Sequence, residues 1–150
     1  MLYRFVNGPL EVMLVHPGGP FWKNKDDGVW SIPKGEIADG EEPLAAARRE
    51  FEEELGQALP PGRPTALSPV KQNPSKTVQA WALEIDLDVS RVKSNTFRME
   101  FPPRSGKWTD VPEVDKAGWF DIETASRKII AGQRPLLEEL LKLLSEETSG

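Results

Sequence analysis

The chain contains no cysteine among its 150 residues and a single histidine, His16. Without cysteine there is no disulfide framework, no thiolate zinc site and no cysteine nucleophile. One histidine excludes any metal centre built on two or more imidazoles. No apolar run approaches the ~20 residues of a membrane span. The opening MLYRFVNGPLEVMLVHP lacks the basic-then-apolar order of a signal peptide. A cytoplasmic protein without a membrane partner is expected. A basic excess is missing too: 19 Lys plus Arg stand against 24 Asp plus Glu, a net charge of -5. Coating of nucleic acid, which needs a basic face, is therefore not expected.

What is present suits one folded domain spanning residues 1–150. A chain of this length buries about 68–70% of its unfolded surface, and 38% hydrophobic residues supply a core. Tyr3 to Val6 and Leu10 to His16 read as a hairpin across Asn7-Gly8-Pro9. His16, at a strand end, reads as structural rather than as a catalytic base. Pro17 to Gly28 reads as a loop carrying Phe21 and Trp22, rings that either meet a ligand or fold back on the core. Val29 to Ile32, Ala66 to Gln72, Thr77 to Leu87, Phe97 to Phe101 and Gly118 to Asp121 read as strands. Lys107 to Thr109 continues a hairpin, and Asp110 to Asp115 reads as an acidic loop. Helices are expected over Pro43 to Leu55, Ile122 to Ala131 and Pro135 to Glu147. The leucine stripe from Leu136 to Leu144 packs on its own sheet or dimerises, so monomer and homodimer both stay open. The pattern is an α/β (α+β) layered fold with a mixed sheet.

The first of these helices breaks the usual charge rules. Stepping about 100° per residue from Glu50 puts Leu44, Ala47, Phe51 and Leu55 on one buried stripe. Glu50, Glu53 and Glu54 share the face beside it, at spacings of three and four. Like charges so placed cost ~0.2–0.5 kcal/mol a pair. The last turn before Gly56 is also where the helix dipole disfavours acids. Binding of a divalent cation explains the cluster. Oxygen ligands without sulfur or paired imidazole point to Mg²⁺ or Mn²⁺. A loop folded back over the helix pairs Glu41 with Arg49 and frees Glu50.

Gly35-x5-Glu41-x7-Arg49-Glu50-Phe51-x-Glu53-Glu54-x-Gly56 resembles the Nudix box, G-x5-E-x7-R-E-U-x-E-E-x-G-U, where U is bulky and apolar. Seven glycine or charged positions over 22 residues match. The departure is Gln57, where the pattern takes an aliphatic residue. The resemblance implies an α/β/α sandwich with the box (35–57) as loop, helix and loop. It implies Mg²⁺- or Mn²⁺-dependent hydrolysis of a nucleoside diphosphate linked to another group. Metal ligands would be Glu50, Glu53, Glu54 and a backbone carbonyl near Lys34-Gly35, with Arg49 and Glu41 as the orienting pair. Glu53 is the first candidate for the base, with Glu50 next. In such proteins the base is not always in the box, so Glu113 or Asp115 is an alternative to a plain solvated acid.

Trp30-Ser31-Ile32-Pro33-Lys34-Gly35 looks like the entry of diadenosine-polyphosphate and diphosphoinositol-phosphate hydrolases. It implies a small-molecule nucleotide substrate of the polyphosphate class, with Lys34 on a phosphate and Trp22 as a candidate base-stacking ring. Competing readings are an ADP-ribose or nucleotide-sugar pyrophosphatase and a non-catalytic Nudix-like nucleotide-binding regulator. The intact box carboxylates weigh against the last.

Overall fold

The computed structural model describes residues 1–33, 43–56, 64–91 and 93–149. The elements run β1 (Leu2–Phe5), β2 (Leu10–Pro17), α1 (Pro43–Leu55), β3 (Thr65–Ala66), β4 (Val70–Asn73), β5 (Lys76–Val78) and β6 (Trp81–Glu84). After a 3₁₀ turn at Val89–Arg91 come β7 (Thr96–Glu100), β8 (Trp108–Pro112), β9 (Val114–Asp121) and α2 (Ile122–Lys128). A second 3₁₀ turn, Ala131–Gln133, leads into α3 (Arg134–Ser149).

Five strands form a mixed sheet in the order β3-β6-β1-β2-β9, in which only β1 and β6 pair in parallel. Both faces are covered, and β2 shows how. Val12 and Leu14 point into one core with Ala125 of α2 and Leu136, Leu137 and Leu140 of α3. Met13 and Val15 point into the other, with Phe51 and Leu55 of α1. The two-residue period of a strand sorts side chains to alternate faces, so a continuous apolar run such as VMLV serves a strand buried on both sides. Leu136, Leu137 and Leu140 are at most 1% exposed, so the α3 stripe packs on its own sheet, with Leu141 left outside. The layers are α/β/α.

Four segments differ from the reading of the sequence. Asp110 to Asp115 is not a loop: β8 runs to Pro112 and β9 begins at Val114. In the β7–β8 hairpin Asp110 sits opposite Arg98 and Val111 opposite Phe97, so a partner strand with complementary charge outweighs the local acidity. The strands expected over Ala66–Gln72 and Thr77–Leu87 are each split. Gln79 interrupts the second, its side-chain amide donating to the Leu67 carbonyl at 2.7 Å. Val29–Ile32 contributes only the isolated bridges Ser31 to Val15 and Trp30 to Ile129.

Candidate active site

The helix α1 spans the residues expected of it, and Ala46, Phe51 and Leu55 are its buried anchors. It carries no basic residue in its last turn. By contrast, α2 obeys the dipole rule: Asp121 caps its start, Glu123 lies in the first turn, and Arg127 and Lys128 lie in the last. The acids at the end of α1 thus run against the rule that α2 keeps, as do Glu146 and Glu147 in the last turn of α3.

Arg49 connects two of those acids. Its Nη1 lies 2.8 Å from Glu50 Oε1 and donates to both Glu53 carboxylate oxygens at 3.0 and 3.1 Å. The Glu50 side chain is 14% exposed, so an ionised carboxylate there needs a nearby positive charge. Glu54 lies on the same turn and has interactions of its own. Lys34, Gly35 and Glu41, and with them the expected Glu41–Arg49 pair, lie outside the described residues.

A third carboxylate arrives from the far end of the sheet. Lys93 and Asn95 donate their amides to the Leu55 and Glu53 carbonyls at 3.0 and 2.8 Å, satisfying orphan acceptors at the end of α1. Asn95 in turn accepts from the Glu113 amide at 2.9 Å, and the Glu113 carbonyl accepts from Gly18 at 3.1 Å. Ser94 Oγ accepts from the Val114 amide at 3.0 Å. These bonds bring the β8–β9 corner over α1. Desolvation, and next the negative charges of Glu50 and Glu53, push the Glu113 carboxyl above the usual glutamate range. Nothing in the spacing of Lys93-Ser94-Asn95 announced this bridge; its only mark is a short polar stretch between elements.

The neighbouring loop is held at several points. Gly18 lies so close to the Pro112 carbonyl that a Cβ would collide with it. Phe21 and Trp22 meet edge to face at 4.8 Å, with Lys25 Nζ 3.8 Å above the Phe21 ring. Trp22 is half-buried and Phe21 is exposed. His16 is fully buried between Asp115 and the Lys25 carbonyl. Gln133, also fully buried, accepts from the Ile32 amide at 3.0 Å and donates to Gln72 at 3.1 Å. It thereby anchors the residues leading into Pro33-Lys34. A glutamine closing the turn Ala131-Gly132-Gln133 gave no hint of that role.

Among the described residues no three of His, Asp or Glu converge closely enough to hold a metal ion. The donor chemistry nevertheless fits a hard divalent cation. Two adjacent carboxylates already draw one cationic nitrogen between them, and a third carboxylate is electrostatically coupled to both.

The model of the NUDIX domain matches residues 5–140. Solved structures of similar fold include an Ap4A hydrolase from C. elegans at 22% identity, covering 97% of this chain and 95% of that one, with a TM-score of 0.64. A mutT/nudix family protein from Listeria innocua matches at 18% identity over 99% of this chain and 92% of that one, TM-score 0.62. The NUDIX domain of Shewanella oneidensis NrtR, complexed with ADP ribose, matches at 16% identity over 95% and 83%, TM-score 0.59. No curated protein matched significantly. With the family model covering most of the chain, and the box acids on the helix it requires, the chain belongs to the Nudix hydrolases, a family of pyrophosphohydrolases.

Proposed function

We propose that this chain cleaves a phosphoanhydride bond in a nucleoside polyphosphate, with Mg²⁺ or Mn²⁺ held by Glu50, Glu53, Glu54 and a backbone carbonyl near Gly35. The observation that carries the proposal is the gathering of carboxylates at the C-terminal turn of α1, where the helix alone disfavours them. A bound divalent cation supplies positive charge against the diphosphate and the leaving oxygen. Arg49 orients Glu50 and Glu53 through its two ion pairs. Glu53 takes the proton of the attacking water in the simplest assignment.

The position of Glu113 favours a second assignment of the base. Its carboxyl faces Glu50 and Glu53 from another element and is held toward its protonated form, as suits a group that accepts a proton during turnover. Glu53→Gln and Glu113→Gln separate the two. If Glu113 is the base, Glu113→Gln lowers kcat with the affinity for Mn²⁺ unchanged, whereas Glu53→Gln weakens both.

Lys34 and the half-buried Trp22 are the proposed substrate contacts, on phosphate and base. A phosphate chain extends beyond the metal and calls for further positive charge, which a ribose does not. Similar folds include an Ap4A hydrolase and a domain complexed with ADP ribose, and these two compounds frame the choice. The test is kcat/KM for wild type and Lys34→Ala on diadenosine tetraphosphate, ATP and ADP-ribose. Larger losses on the first two, shrinking at high salt, support the polyphosphate class. Equal losses, or ADP-ribose as the best substrate, favour the sugar-linked class.

A further inference from the structure

His16, the chain's only histidine, is a buried polar side chain outside the box, and both of its ring nitrogens face oxygen. Nε2 lies 2.6 Å from the Lys25 carbonyl and Nδ1 lies 2.9 Å from Asp115 Oδ1. A carbonyl only accepts, so Nε2 carries a hydrogen. An ionised carboxylate also only accepts, so the Nδ1–Oδ1 contact is a bond only if it contains a proton, on either atom. Without that proton two lone pairs face each other, the imidazole one of them fully buried.

The backbone is shaped to make this contact. His16 pairs with Lys116, but the next residue, Pro17, pairs with Val114, which leaves Asp115 as the extra residue of a β-bulge. Bulges re-aim side chains, and this one accompanies a carboxylate turned to the imidazole. Two residues away the Glu113 carbonyl accepts from Gly18. The segments 16–18 and 113–115 are therefore joined at both ends, and the Lys25 carbonyl ties in the loop that carries Trp22. From Glu113 the connection continues through Asn95 to Glu53 of α1.

We propose that His16 is a positioning residue for the box site, a latch that joins Asp115 to the Lys25 carbonyl and thereby ties the loop that carries Trp22 to the Glu113 corner over α1. The proposal rests on the hydrolase reading for its effect on turnover, but not for the latch itself. The other charged groups around the imidazole are Lys116, directly across on β9, and Asp26 and Lys128, which meet Trp30. Trp30 packs edge-on to His16 at 5.1 Å.

A single histidine makes the test clean. In ¹⁵N-histidine-labelled protein, the ring correlations should show Nε2 protonated and a proton in the Nδ1–Asp115 contact. Asp115→Ala should remove that signal, speed amide exchange at Gly18 and Glu113, and lower kcat roughly 10- to 100-fold, the scale of a misplaced catalytic group. Mn²⁺ affinity should hold, since α1 is untouched. Asp115→Asn should restore slow exchange and most of the turnover, because its amide donates to an unprotonated Nδ1 and remakes the bond. A wild-type imidazole with no proton toward Asp115, or wild-type amide exchange in Asp115→Ala, overturns the proposal. Absence of turnover in wild type would sink the hydrolase reading instead, while the ring signals and amide exchange still decide the latch.

Discussion

Arg49 holds together what the helix would push apart. One nitrogen reaches both Glu50 and Glu53, and the guanidinium is about one-third exposed. Exposed ion pairs contribute ~0–1 kcal/mol, so Arg49→Ala should change urea stability by less than about 1 kcal/mol while sharply lowering kcat/KM. A double-mutant cycle with Glu53→Gln should be non-additive, because the two side chains act as a unit. Fully additive losses would remove Arg49 from the carboxylate face. Glu113 gives a pH signature at the same scale. Its carboxyl keeps its proton to higher pH in the folded chain than the ordinary value of 4.5. The cost of ionising it is absent below that value and grows as pH rises through the folded value. In the metal-free protein Glu113→Gln should therefore match wild type in stability at pH 4 and exceed it at pH 7. An equal gap at both pH values would contradict the coupling.

At the scale of elements, the end of α1 is the critical joint. Gly56 has φ +68, and a Cβ there would run into the Lys93 carbonyl oxygen. Gly56→Ala should cost roughly 1–3 kcal/mol, measured by denaturant unfolding, from backbone strain and the displaced 93–95 bridge. Activity should fall with it, because that bridge carries Glu113. A neutral substitution would mean that the bridge yields freely. This helix was legible in the sequence to its bounds, since Pro43, the alanine run and Gly56 are local signals that tertiary contacts only reinforce. The β8–β9 corner was not. Its acids read as a loop because the balancing Arg98 lies on another strand, twelve residues before Asp110. Glu113 enters from the sequence only through the resemblance, as an acid outside the box: its meeting with Glu50 and Glu53 depends on amides of Asn95 and Gly18, which no short-range pattern encodes.

Across the whole molecule, the sheet separates two cores, and α1 belongs to only one of them. Loading the box with a cation should therefore stabilise the chain through α1 and the 93–95 bridge. Saturation at a hundred times Kd contributes ~2.7 kcal/mol. The melting temperature of wild type should rise with Mg²⁺ or Mn²⁺, and that of Glu54→Gln much less; equal shifts would place the ion elsewhere. Among the described residues no helix is long and apolar enough to cross a membrane.

The most direct test of the central claim is product release from diadenosine tetraphosphate by wild type and Glu53→Gln, each with Mn²⁺ and with chelator. Turnover only in wild type with the cation, with Glu53→Gln folded and at least as stable as its parent in the metal-free state, is the expected result. Hydrolysis that survives chelation, or that persists at wild-type rate in Glu53→Gln, would contradict the assignment of the α1 carboxylates.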